Sequence, residues 1–277
     1  MNNRKSKLPM LLVLLGLIIV VVVLCVCIHF ANLKENALVQ NEPDGVTDTL
    51  ESMTPDEIAK VSESIKVVFI DEPYAGAYEC PKPLSDAIRK NPDVYAWLSV
   101  TGTNISYPIC NRPLDNRYYL NHSSEPAWNP MGALYTEDYN KRDFSDNCVV
   151  VYGHSMTGTK FFGTLQKDYS DKTFFDEHRE IKVYLPDKVL TYKVFAAVPY
   201  TNVHILYYFD FTSKSYYNWF IESVTGTRSI EAIVDSDSIP EYDEKLLILS
   251  TCLKGYNNKR FLVLSVLTDT EVAENNK

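Results

Sequence analysis

Leu246-Leu247-Ile248-Leu249-Ser250-Thr251-Cys252 is the stretch from which the fold is read: a run of apolar residues that ends in a thiol. Consecutive apolar residues bounded by polar ones predict a buried strand. The polar segment Lys254-Gly255-Tyr256-Asn257-Asn258-Lys259 predicts a turn, and residues 260–267 predict a partner strand opened by Arg260. A hairpin of this kind sets Cys252 and Arg260 side by side. The pairing matters chemically, because the thiolate is the nucleophilic form of cysteine, its ordinary pKa is about 8.5, and a nearby guanidinium favours the charged form. The same residues also suit a small hydrophobe closing a strand. Chemistry therefore needs a base from elsewhere in the chain.

The composition sets outer bounds. With 277 residues, 45% hydrophobic and 12% aromatic, the chain can bury a full core, and 19 tyrosines against 10 glycines suit a β-rich globular domain. A net charge of -9 with scattered lysines and arginines argues against a nucleic-acid partner. Of six cysteines, Cys25 and Cys27 lie in an N-terminal apolar run, while Cys80, Cys110, Cys148 and Cys252 are far apart. These four could form two disulfides in an oxidising compartment, although a chain this long does not need them. No CxxC pair or Cys/His cluster has zinc spacing. Glu137, Asp138, Asp143 and Asp146 lack the spacing of a calcium loop, so neither a metal nor a cofactor is expected.

Residues 8–28 form an almost unbroken apolar stretch, about 30 Å long as a helix, which matches a bilayer core. Arg4, Lys5 and Lys7 precede it, whereas Lys34 and Glu35 cancel after it, so residues 1–7 are expected in the cytoplasm, 8–31 as a transmembrane anchor and the remainder outside. The expected location is thus the cell membrane, in a single pass. A cleaved signal peptide would show a shorter apolar region and a small-residue cleavage site, and neither is present. Residues 32–53 read as an acidic tether. The domain proper is expected over 54–277, with helices in 54–90, a β-rich body over 91–268 and a polar tail over 269–277. Thr54-Pro55-Asp56-Glu57 has the pattern of a capping box at a helix start, and residues 85–90 predict a second short helix.

Beyond Asp93 the pattern turns to short apolar runs, at 94–100, 105–109, 132–135, 148–152, 181–185, 189–199, 246–252 and 260–267, separated by Gly, Pro, Asn and Asp. Helices are predicted over 161–168 and 213–224, the second with Tyr217, Phe220, Ile221 and Val224 on one face. Many short strands without a βαβ rhythm predict a mainly β fold, a mostly antiparallel barrel or sandwich.

The base that a catalytic cysteine requires is most often histidine, and the chain has five. His29, His178 and His204 read as solvated or edge residues. His122, in Tyr119-Leu120-Asn121-His122-Ser123, remains a candidate. His154 is stronger, because the run Val149-Val150-Val151-Tyr152 leads into Gly153-His154-Ser155 and places the imidazole where a sheet edge meets a loop.

Tyr152-Gly153-His154, then Leu249-Ser250-Thr251-Cys252, then Arg260 together resemble the His, Cys and Arg signature of sortases, the cysteine transpeptidases of Gram-positive bacteria. Ile248 stands where that family usually has Thr. The likeness extends to Asn91-Pro92-Asp93 with Trp97, Tyr107-Pro108 and Asp146-Asn147, and the N-terminal helices with the helix inserted before the cysteine strand resemble class B. The resemblance implies an eight-stranded β-barrel in which His154, Cys252 and Arg260 share a groove, and in which Asn116, Leu120, Tyr152, Ser250 and Thr251 bind substrate. It implies that Cys252 cleaves a C-terminal sorting signal after Thr, giving a thioacyl enzyme, with His154 handling protons and Arg260 gripping substrate. The partners so implied are surface proteins bearing that signal, a peptidoglycan amine as acceptor, and the membrane through the N-terminal helix. Two other readings fit the residues alone: a surface cysteine protease that passes the acyl group to water, and a non-catalytic tethered barrel that binds peptide.

Overall fold

Alternation within and across strands decides the architecture. The computed structural model describes residues 53–70, 78–155 and 158–273. The chain divides into two units, Met1–Glu42 and Pro43–Lys277, and all described residues belong to the second. Among the described residues nine strands are present: β1 Val94–Val100, β2 Ser106–Cys110, β3 Leu134–Tyr135, β4 Cys148–Tyr152, β5 Glu180–Tyr184, β6 Lys188–Thr201, β7 Ile233–Val234, β8 Leu246–Cys252 and β9 Lys259–Val272. They hydrogen-bond in the order β5-β1-β2-β3-β4-β8-β9-β6, and β5 also pairs with β6, so eight strands close into a barrel with β7 added on β6. The expected eight-stranded barrel is the one observed. Closure leaves these eight strands without a free edge.

Most pairs are antiparallel, but β2–β3 and β4–β8 are parallel. A parallel pair cannot be joined by a tight turn. Between β4 and β8 the chain therefore runs through β5, β6, β7 and the helices α3 Leu165–Tyr169, α4 Lys172–Glu177, α5 Ile205–Tyr208 and α6 Lys214–Thr225.

Side chains of β8 alternate between two apolar layers. Leu247 and Leu249 join Val149, Val151, Phe261 and Val263 inside the barrel. Leu246 and Ile248 join Val150, Leu262, Leu264 and helix α6 on its outer face. Burial on both faces explains why this strand reads as a continuous apolar run rather than as an alternating one. Helix α6 buries Tyr217, Phe220, Ile221 and Val224, the face expected from their spacing; each large side chain so buried contributes ~1.5–3 kcal/mol.

Before the barrel come α1 Pro55–Ser64 and α2 Lys82–Lys90. The capping box of α1 forms: the Thr54 N–H donates to Glu57 Oε2 at 2.8 Å, and the Glu57 N–H donates to Thr54 Oγ1 at 3.4 Å. Helix α2 begins three residues earlier than expected and inserts Leu84 against Trp97, Tyr119 and Tyr135. The helix expected over 161–168 shrinks to α3, because Phe161 bridges to Ser155 with a left-handed φ of 46° and delays the first turn. The tail expected from 269 is instead the end of β9, where residues 269–272 pair with β6. Its polar residues are exposed, so pattern alone did not mark them as strand.

The expectation of a single-pass membrane protein is corrected at this point: among the described residues, no helix is long and apolar enough to cross a membrane. The longest of them, α6, has 12 residues, against the ~20 that a bilayer requires. Residues 8–31, on which the expected anchor falls, lie outside the described residues, as does the tether up to 52. Among the described residues Cys80, Cys110, Cys148 and Cys252 are free thiols, so no disulfide links them.

Candidate active site

Strand register brings the three expected residues into one row. In the parallel pair β4–β8, Tyr152 lies opposite Ser250, and the Gly153 N–H donates to the Ser250 carbonyl at 3.2 Å. Carried on by two residues, the same register sets His154 level with Cys252. In the antiparallel pair β8–β9, Cys252 lies opposite Arg260. Neighbouring strands are about 4.8 Å apart, so Cys252 has Arg260 as its cross-strand neighbour on β9, and the chain leaving β4 carries His154 along the other side of β8. By alternation the row shares a face with Tyr152, Ser250, Ile248 and Leu262, the outer face of the barrel rather than its interior. All three residues are half-buried.

His154 is held from beyond the sheet. Its Nε2 lies 2.8 Å from the carbonyl oxygen of Leu120, at the end of the 3-10 turn η1, Tyr118–Leu120. A carbonyl can only accept, so Nε2 carries the proton. Burial lowers the pKa of His154 below the ordinary histidine value; the bond to Leu120 opposes this, and the charge of Arg260 adds to it. The ring is accordingly neutral at neutral pH.

The five residues expected to bind substrate divide. Leu120 is half-buried in η1, against His154. Tyr152 stacks on Tyr135 with ring centres 5.4 Å apart, and burial, followed by the charge of Glu137, holds its phenol well above the ordinary range. Ser250 is buried on the row's own face. Thr251, one residue along, turns to the barrel interior, where its hydroxyl is buried without a hydrogen-bond partner. Asn116 is engaged elsewhere: its Nδ2 donates to Asp138 Oδ1 at 2.7 Å, and the Asp138 N–H donates to its Oδ1 at 2.8 Å.

The other described histidines have local structural roles. His122 stacks on Tyr118 at 3.9 Å and 12°, with Nδ1 2.9 Å from the Tyr118 carbonyl. The ring of His178 occupies the space where a Gly102 side chain would stand. His204, expected as a solvated loop residue, caps α5 by accepting the Tyr207 N–H on Nδ1 at 3.1 Å, and its Nε2 lies 2.6 Å from Glu137 Oε2. Sequence reasoning also passed over Lys254, in the turn after the cysteine. Its N–H donates to Gln166 Oε1 at 3.0 Å and its Nζ to the Gly163 carbonyl at 2.8 Å, which ties the β8–β9 turn to α3. No local pattern announces a contact between segments so far apart in the chain. Among the described residues, no group of His, Cys, Asp and Glu could hold a metal ion.

No protein-family profile matches the chain. Sortase B of Listeria monocytogenes serovar 1/2a (strain ATCC BAA-679 / EGD-e) is 26% identical over 184 residues, 65% of this chain and 72% of the relative. A class B sortase of Streptococcus pyogenes involved in pilus biogenesis is 26% identical with a TM-score of 0.57, covering 66% of this chain and 97% of that one. Sortase B of Bacillus anthracis, solved with a bound compound, is 23% identical with a TM-score of 0.58, covering 80% and 97%; at that identity it supports the fold alone. Aligned in sequence with a sortase B and closed into the same barrel as class B sortases, the chain is similar to that class in both sequence and fold, which supports a class B-like sortase, a cysteine transpeptidase.

Proposed function

We propose that Cys252 is the nucleophile of this transpeptidase, His154 its acid and base, and Arg260 the residue that grips substrate. The observation that supports the reading is the register: Cys252 lies opposite Arg260, and His154 follows two residues after Tyr152, which lies opposite Ser250 on the same strand as the cysteine. On this reading Cys252 sulfur attacks the carbonyl carbon of a Thr–X bond in a C-terminal sorting signal. Its proton passes to His154, which protonates the leaving amine as the C–N bond breaks. A peptidoglycan amine then attacks the thioester, loses a proton to His154 and expels the thiolate. Arg260 holds the substrate backbone or the developing oxyanion by charge-assisted bonds, a contribution of ~3–4 kcal/mol in other acyl-transfer sites. Leu120, Tyr152 and Ser250 line the signal's path.

The full chain incubated with a sorting-signal peptide, with and without an amine acceptor, tests this. Mass spectrometry should find a thioester on Cys252, absent from Cys252→Ala, that the amine discharges to a new amide. An adduct that persists in Cys252→Ala would overturn the assignment, and discharge that ignores the amine would mark a hydrolase instead.

A further inference from the structure

We infer that His154 exchanges protons through Nδ1 alone, and that the turn η1, seated on Gly132, fixes this choice by presenting the Leu120 carbonyl to Nε2. The inference rests on His154 being the acid and base and adds to that reading the reacting atom and its support. A neutral imidazole carries one N–H, and the carbonyl 2.8 Å away requires it on Nε2. Nδ1 is then the lone pair. A second proton can be taken up only there, and the Nε2–H bond to Leu120 becomes charge-assisted when that happens. The Cys252 S–H bond thus breaks as Nδ1–H forms, and Nδ1–H breaks as the leaving amine gains its N–H, while the Nε2 proton stays in place throughout.

This works only if the carbonyl is fixed, and η1 is held on several sides. The Ala133 N–H donates to the Tyr119 carbonyl at 3.0 Å. The Tyr119 hydroxyl donates to Asp93 Oδ2 at 2.8 Å and accepts from Asn91 Nδ2 at 2.9 Å. The Tyr118 ring has the Arg112 guanidinium and the His122 ring each 3.9 Å from its centre, distances that only opposite faces can accommodate. Gly132 lies under the turn with φ 60°, and a Cβ there would stand 2.3 Å from the Tyr119 carbonyl oxygen and 2.8 Å from that of Leu120. Both are main-chain atoms, so no rotamer change can relieve the overlap. A methyl group at position 132 must push away the carbonyl that orients His154. Gly132 is therefore a positioning residue acting through Leu120, and η1 is the orienting partner that a carboxylate supplies in other Cys/His or Ser/His sites.

The test is long-range 15N–1H NMR of the full chain labelled at histidine, with the His154 signals identified by their loss in His154→Gln. The expected pattern is a protonated Nε2 and an unprotonated Nδ1. In Gly132→Ala the pattern should become mixed, and kcat should fall by about a hundredfold, the cost of an ångström-scale misplacement, with KM for the sorting peptide little changed. Because the lost bond favours the charged ring, the acidic limb of the rate profile should also move to lower pH. An Nδ1–H tautomer in the unmodified chain would overturn the inference while leaving His154 as the acid and base, provided His154→Ala is inactive. Full turnover in His154→Ala overturns the underlying reading itself. Should Gly132→Ala not fold, the tautomer of the unmodified chain still decides the matter.

Discussion

Gly153→Ala is the substitution by which the packing behind the row can be tested most sharply. Gly153 stands between Tyr152 and His154, and its N–H holds the β4–β8 register at Ser250. A Cβ there would lie 2.5 Å from Leu134 Cδ2 and 2.7 Å from Phe162 Cδ2, and both side chains are fully buried. Ordinary contact needs about another ångström, which close-packed neighbours cannot yield freely. Overpacking of this kind costs ~1–3 kcal/mol. At roughly 2–4 °C per kcal/mol for a domain of this size, Tm should fall by about 2–12 °C. The φ at Gly153 lies outside the left-handed region, so the whole cost arises from these contacts. Leu134→Ala alone should cost ~2–5 kcal/mol by leaving a cavity. Combined with Gly153→Ala it should cost less than the two effects together, by at least about 0.5 kcal/mol, because the new methyl fills part of the space. Urea and thermal denaturation of the four proteins, with turnover measured alongside, supply the cycle. Strict additivity, or a Gly153→Ala protein that melts within about 1 °C of the parent and turns over normally, would refute the reasoning.

Two further outcomes follow from other parts of the molecule. His122→Ala removes the stack on Tyr118, and should lower stability by ~0.5–1.5 kcal/mol and kcat by less than about tenfold. His154→Ala abolishes turnover, so equal losses in the two variants would contradict the assignment of roles. Asp235 accepts from Ser238 and pairs with Arg179, Nη2 to Oδ2 at 2.5 Å; first the Ser238 hydroxyl and then the guanidinium hold its carboxyl down at about 2. With the folded pKa below the unfolded value of about 3.9, the stabilisation is present above that value and is lost as pH falls through 2. Asp235→Asn should therefore flatten the dependence of the urea midpoint on pH between about 4 and 2; an unchanged slope counts against the pair.

What was legible in the sequence was local. The β8–β9 hairpin, and with it the pairing of Cys252 and Arg260, could be read because a continuous apolar run, a six-residue polar turn and a second run stand next to one another. The buried face of α6 followed from period, and the start of α1 from its capping box. The parallel pairing of β4 with β8 could not be read, because nothing in Val149-Val150-Val151 states which distant strand it will join. His154 was singled out as a base by its place at the end of an apolar strand, and the family likeness joined it to Cys252; the β4–β8 register is consistent with that grouping. The likeness grouped Thr251 with Ser250, and alternation could not say which face of β8 was the inside of the barrel, where the Thr251 hydroxyl is buried. Asn116 was assigned to the groove although Asp138, brought near by the β2–β3 pairing, engages its amide. Strand β7 and helix α5 are too short to leave a periodic signal.

The row also dictates an order of assembly. Arg260 reaches Cys252 through a hairpin of a few residues, whereas His154 reaches it across a loop of roughly a hundred, whose closure costs about 2 kcal/mol more in chain entropy. Non-local parallel pairing is also the slow kind. A refolding chain should thus gain the thiol–guanidinium half of the site early and the imidazole late, so that turnover returns after most of the strand signal has recovered. Until then the cysteine lacks the proton acceptor proposed for it. The chemistry is withheld until the barrel has closed.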